Sequence, residues 1–319
     1  MRVFVTGATG FVGTAVVKEF LSAGHTVVGL SRSESGVEKL KALGAEPLHG
    51  TIEDVALLES TAATADAAIH LAFVHDFSKF VEACATDRAA ITALGKGLVK
   101  AGGGNQRSLV VTSGTMLTST GVRGVVLNEA SPIQLTNPMA QARGPSEQVC
   151  LDFAKTENGG LRVSVVRLPP VTHGADGVSG FAGHLANIAI QTGKSAYVGD
   201  GLNKWSAGHR DDAALLYRLA AEKATPGSVF HANAEQGVVV KELATAIGKE
   251  LGLPIESLEG EAAAAHFSWF AHPSSVDNVV SSQITQDALG WKPTHVTLLE
   301  DVPAIVAYAK KVAAAQAAK

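Results

Sequence analysis

Three glycines spaced by three, Gly7, Gly10 and Gly13 in TGATGFVG, are the residues whose placement most directly implies chemistry. Glycine accepts the tight turn at position 7, lets a backbone approach a pyrophosphate at position 10, and lets a helix pack closely on a strand at position 13. The N–H groups that open the following helix then face the phosphates, with Thr9, Phe11 and Val12 alongside. The plain alternative is a glycine-rich turn between packed elements. Context favours the phosphate site: RVFVT precedes it as a β-branched run, and Phe11, Ala15, Val16 and Phe20 follow at helical spacing. The second strand ends in Ser31 and Arg32 instead of an acid. An acid there binds ribose hydroxyls and repels a 2′-phosphate, whereas a hydroxyl and a guanidinium bind one. NADP(H) is therefore expected over NAD(H). Glu34 nearby opposes this, and an exposed surface arginine is the alternative reading.

The elements that must position these residues follow a clear rhythm. RVFVTG, TVVGL, AEPLHG, AAIHLAF, RSLVVTSGT and RVSVVRLP read as strands, separated by helical patterns, with a long Ala-rich helix running to about Ala101. Asp54 is placed to cap the helix VALLESTAA. Near-continuous apolar strands alternating with helices imply an α/β fold: a Rossmann-type, doubly wound parallel sheet covered on both faces. The rhythm changes near residue 170, where short strands (SAYVG, KWSAG, SVFHA) mix with helices. Residues 1–170 are expected to form the dinucleotide-binding core. Residues 171–319 are expected to form mainly a smaller C-terminal substrate lobe, with some segments returning to the core.

Composition narrows the function classes. Hydrophobic residues make up 46% of the 319, enough for a sizeable core, and the formal net charge is -4 without a basic stripe. Nucleic acid and anionic membrane are poor partners for such a surface. The two cysteines, Cys84 and Cys150, have neither metal nor redox spacing, and the eleven histidines form no HExxH or close pair, so no metal site is expected. With no signal segment before the first strand and no apolar run of spanning length, the protein is expected to be soluble and cytoplasmic.

TGATGFVG, a third strand leading to Asp54, HLAF (70–73), VVTSGT (110–115), VVRLPPVTHG (165–174), VGDGLNKWSAGHRDDAA (198–214) and LGWKPT (289–294) stand in an order that resembles the extended or atypical short-chain dehydrogenases/reductases, most closely their epimerase/dehydratase-like branch. The resemblance covers nearly the whole chain. It implies that Asp54 contacts adenine, that Leu71, Ala72 and Phe73 pass beside the adenosine ribose and pyrophosphate, and that Pro169 to Val171 flank the nicotinamide. It also implies a homodimer through the helix after the fourth strand and the helix near residue 147, although apolar helices that are simply core look the same.

The family pattern Tyr-Gly-x-Ser-Lys falls on RGPSE (143–147), so Arg143 and Glu147 stand in place of the two catalytic residues. Arginine cannot donate a proton, because its pKa stays above ~12, but a fixed cation stabilises an alkoxide that forms as hydride arrives. Glu147 is expected to accept from ribose hydroxyls, and its i, i+4 spacing from Arg143 puts both on one helical face, where they can hold each other. The alternatives are a helix ion pair, or a helix that starts at Pro145 with Glu147 in its first turn. The family's hydroxyl aligns nearest Gly114, which leaves Ser113 as first choice and Thr115 as second. Ser113, Thr115, water and His75 are the proton sources to consider; His75 is also a surface-residue candidate. Trp205 and Phe181 are candidate walls of an apolar substrate pocket, or lobe core.

Three functions follow: an NADPH-dependent reductase of a ketone or aldehyde with a non-standard active site, a non-catalytic NADP-binding sensor, or a nucleotide-sugar epimerase or dehydratase. The third is weakened by the missing tyrosine and by a lobe poor in Arg and Lys.

Overall fold

The β-branched run at the start of the chain becomes the centre of a parallel sheet. In the computed structural model, which describes residues 1–135, 138–174 and 179–317, the first half runs β1 (Arg2–Thr6), α1 (Phe11–Ser22), β2 (Thr26–Ser31), α2 (Glu34–Leu43), β3 (Glu46–His49), α3 (Val55–Ala62), β4 (Ala67–His70), α4 (Phe80–Ala101), β5 (Ser108–Gly114), β6 (Val126–Leu127), α5 (Pro138–Arg143), α6 (Pro145–Asp152) and β7 (Arg162–Leu168). The second half runs β8 (Val171–His173), β9 (Ser179–Gly180), α7 (Phe181–Thr192), β10 (Ser195–Val198), β11 (Lys204–His209), α8 (Arg210–Lys223), β12 (Ser228–His231), β13 (Glu235–Val239), α9 (Val240–Leu251), β14 (Ile255–Leu258), α10 (Gly260–Phe267), α11 (Ala271–Ser275), β15 (Val279–Val280), α12 (Gln283–Leu289) and α13 (Leu298–Ala317).

The main sheet has seven parallel strands in the order β12-β7-β5-β4-β1-β2-β3. The order reverses between β1 and β4, so a crevice opens at their C-terminal ends. Alternation along each strand sends side chains to two different cores. Val110 joins Val3, Val5 and Tyr217 on the α1/α8 face, while Leu109 and Val111 join Ile91, Leu94 and Cys150 on the α4/α6 face. Burying a side chain of this size fully contributes about 1.5–3 kcal/mol. Both cysteines are buried and unlinked.

The lobe has its own core, built on the sheet β13-β11-β8-β9 and on α7, α9 and α13. Two segments beyond residue 170 belong to the main layer instead: β12 adds its outermost strand and α8 packs on α1. No helix of the described residues is long and apolar enough to cross a membrane.

Candidate functional site

The glycine loop has the shape that the sequence demands. Gly7 sits at φ +68°, and a Cβ on it would lie 2.8 Å from the Ala72 nitrogen. A Cβ on Gly13 would lie 1.9 Å from the Gly7 carbonyl oxygen, so α1 starts hard against the turn. Gly10 caps α1 without using a side chain, which leaves the first N–H groups of the helix to a ligand. Leu71 and Ala72 lie against this turn, and the Val12 side chain goes into the core. A cavity of about 720 Å³ adjoins the loop and is lined by Thr9, Gly10, Phe11, Lys39 and Arg210 among others. The Lys39 ammonium donates to the Thr9 carbonyl at 3.0 Å, and the Arg210 guanidinium lies 4.8 Å from the centre of the Phe11 ring. Neither cation has a motif around it, and only the fold brings them here.

At the end of β2, Ser31 and Arg32 part company. Ser31 is 3% exposed and its hydroxyl donates to the Ser33 carbonyl, because the side chain points under Gly36. It braces the turn, so the hydroxyl expected to meet a 2′-phosphate is engaged on the Ser33 carbonyl in this structure. Arg32 is exposed, as are Ser33 and Ser35. Asp54 caps α3, accepting from the Leu57 N–H at 3.0 Å.

The RGPSE stretch breaks where Pro145 has no N–H to give: α5 ends at Arg143 and α6 begins at Pro145. The two charged side chains then take separate partners, so the expectation that they hold each other fails. The Arg143 guanidinium pairs with Asp87 of α4, donates to the Thr112 carbonyl at 2.7 Å, and lies 4.6 Å from the Phe73 ring centre. Asp87 is fully buried, and its second carboxylate oxygen is 3.3 Å from His70 Nε2. The Thr6 hydroxyl, which accepts from the Ala72 N–H, is 2.8 Å from His70 Nδ1. His70 thus stands between the Thr6 hydroxyl and the Asp87 carboxylate. Burial opposes ionisation of Asp87, but His70 and Arg143 outweigh it and hold its carboxyl below the usual range.

Ser113 follows Leu109 and Val111 in the alternation and so points to this same face. It is 8% exposed, and its hydroxyl has no hydrogen-bond partner among the described residues. His75 stands at the mouth: its ring meets Phe73 edge-on at 5.5 Å, and burial, together with the Arg143 charge, lowers its pKa against the pull of the Phe73 carbonyl.

Glu147 is 3% exposed, with both oxygens on Arg167 of β7 at 2.9 and 2.8 Å. It faces the sheet, so its oxygens are spent on Arg167 instead of a ribose. Thr115 is buried and donates to the Asn278 side chain, tying β5 to the lobe. Trp205 is 0% exposed with its indole N–H on the Val276 carbonyl and packs against Phe181, so of its two readings, pocket wall or lobe core, the structure places it in the lobe core. Pro169 is buried, and the Val171 side chain belongs to the lobe core. Sequence reading missed His70, which closes the apolar strand β4, and Asp87, which sits between Thr86 and Arg88 on α4.

The fold also gathers His209, Asp211 and His295, with ligating atoms within 4.8 Å of one another. The two rings stack in parallel at 4.4 Å, and His209 Nδ1 already accepts the Asp211 N–H. A metal lies in the plane of each imidazole it binds, so stacked rings do not form a ready chelate.

Residues 3–232 match the model of the NAD dependent epimerase/dehydratase family. The chain belongs to that family. An uncharacterized protein of Schizosaccharomyces pombe (C2A9.02) is 46% identical over 303 residues, covering 95% of this chain and 98% of its own. The 4-hydroxy-2-methyl-3-oxo-4-farnesyl-3,4-dihydroquinoline-1-oxide ketoreductase of Stigmatella aurantiaca is 28% identical over 277 residues, covering 83% and 79%. Among solved structures, the UDP-glucose 4-epimerase of Thermotoga maritima is similar with a TM-score of 0.78 at 21% identity, covering 98% of this chain and 100% of its own, which speaks to fold alone. Family membership makes this an NAD(P)-dependent oxidoreductase-type chain, and the Gly7–Gly13 cradle, which any Cβ would fill, fits the dinucleotide.

Proposed function

We propose that this protein is an NADP(H)-dependent reductase of a ketone or aldehyde. The observation that carries the reading is Arg143, a guanidinium held by Asp87, the Thr112 carbonyl and the Phe73 ring at the C-terminal end of β5, on the face where Ser113 has a buried hydroxyl with no partner among the described residues. Bound NADPH supplies a hydride. The chain's residues would do the rest: Arg143 and Ser113 donate to the carbonyl oxygen and stabilise its developing negative charge. A guanidinium has five N–H donors, so those given to Asp87 and Thr112 do not exhaust it. The proton comes from solvent, relayed by Ser113 or by His75 at the mouth. Arg32 supports the preference for a 2′-phosphate, with Lys39 on the neighbouring helix adding positive charge. The similarity to a ketoreductase supports the carbonyl substrate.

The test is consumption of NADPH over a panel of ketones and aldehydes, with Arg143→Met beside the wild type. Loss of one preorganised donor predicts a fall of roughly 100-fold in kcat/KM; an unchanged rate overturns the role of Arg143. A second reading, an NADP-binding protein without turnover, draws support from the pairing of Arg143 with a buried carboxylate. Tight NADPH binding with no consumption over a broad panel favours it.

A further inference from the structure

Asp87 does more than hold a neighbour in place. Arg143 stands at the C-terminal end of β5, and Asp87 brings a full negative charge into contact with it from a position without solvent access. Arg88, next on α4, directs its guanidinium to the Ala142 carbonyl. His75 is held toward its neutral form by burial and by Arg143. His70 places its Nε2 3.3 Å from the second Asp87 oxygen, and its Nδ1 is anchored at the Thr6 hydroxyl, so the ring fixes the carboxylate from the side away from Arg143. A lone guanidinium in a dry cleft recruits carboxylates and phosphates. A guanidinium already matched by a buried carboxylate still aims N–H donors at an oxygen on which charge develops, but has almost no net charge with which to attract a substrate that arrives as an anion.

We propose that Asp87, oriented by His70, is a specificity-determining residue that acts through Arg143 to restrict the cleft to substrates whose reacting end is an uncharged carbonyl, excluding 2-oxo acids and phosphorylated carbonyls. This rests on the reading of Arg143 as the group that meets the substrate oxygen.

The experiment titrates NADPH-loaded protein with oxamate, as a small carboxylate probe, and with acetamide, as its neutral counterpart. Wild-type protein is expected to bind oxamate no more tightly than acetamide. Asp87→Asn is expected to bind oxamate about tenfold tighter or more, a change of one decade in Kd, and Asp87→Asn with Arg143→Gln is expected to lose that gain. Retained NADPH affinity shows that the variants are folded, and a merely structural role for Asp87 predicts no gain in anion affinity. Equal oxamate affinity in wild type and Asp87→Asn overturns the proposal. Should Asp87→Asn not fold, a wild-type preference for oxamate over acetamide overturns it equally, and a wild-type preference for acetamide supports it. These titrations need no turnover, so a failed carbonyl panel counts against the reductase reading and a failed oxamate series against the role of Asp87.

Discussion

Arg143 and Glu147 stand four residues apart and end in different environments. Arg143 reaches sideways to Asp87 on α4, and Glu147 reaches down to Arg167 on β7. Glu147 and Arg167 are both nearly fully buried, so each depends on the other to offset its loss of hydration. Replacing Glu147 by Gln leaves a buried guanidinium without its counter-charge. Urea unfolding is expected to show a loss of about 3–5 kcal/mol. Glu147→Leu combined with Arg167→Met removes both charges and is expected to cost less than either single change; a double variant less stable than Glu147→Gln would show that the pair does more than neutralise itself. At this scale the sequence was half legible. RGPSE sets Arg143 and Glu147 four residues apart, but their partners Asp87 and Arg167 lie 56 and 20 residues away, and no local pattern points to them.

At the scale of elements, the register of β7 and β12 sets His231 directly beside Arg167. Burial and the Arg167 charge, opposed by the Ser281 carbonyl, bring the His231 pKa down to about 4. In the unfolded chain an imidazole titrates near ~6.5. Between the two values the unfolded state binds a proton that the folded state refuses, so stability rises with pH through this window and falls as pH drops from about 6.5 toward 4. The expected loss over the full window is roughly 3 kcal/mol. Unfolding free energies measured between pH 7 and pH 5 should fall on acidification, and His231→Asn should flatten the slope; an equal slope in the variant would assign the effect elsewhere. The hydrophobic pattern shows that a short apolar strand exists at 228–231, but not that it joins the main sheet, because edge membership depends on pairing with β7.

For the whole molecule, a buried polar link from Thr115 to Asn278 ties the sheet to the lobe, and the His173–Asp301 pair ties β8 to α13 within the lobe. Cofactor binding at the Gly7–Gly13 loop is expected to stabilise the fold by mass action, about 2.7 kcal/mol at a hundredfold excess over Kd. Thermal unfolding should therefore move upward by several degrees with NADPH. Gly13→Ala, whose new Cβ would meet the Gly7 carbonyl at 1.9 Å, should remove that shift and lower the midpoint without ligand; an undiminished NADPH shift would refute the loop as the binding site. The sequence by itself determined the parallel α/β sheet and the glycine cradle. Each of these rests on local periodicity, or on a glycine that only one backbone shape explains. Tertiary structure decided what Arg143, Glu147, Ser31, Thr115 and Trp205 do. The charge and exposure of a polar side chain depend on which strand or helix is packed against it, and Asp87 is silent in the sequence because a single acid on a long helix has the same look whether it meets water or a guanidinium.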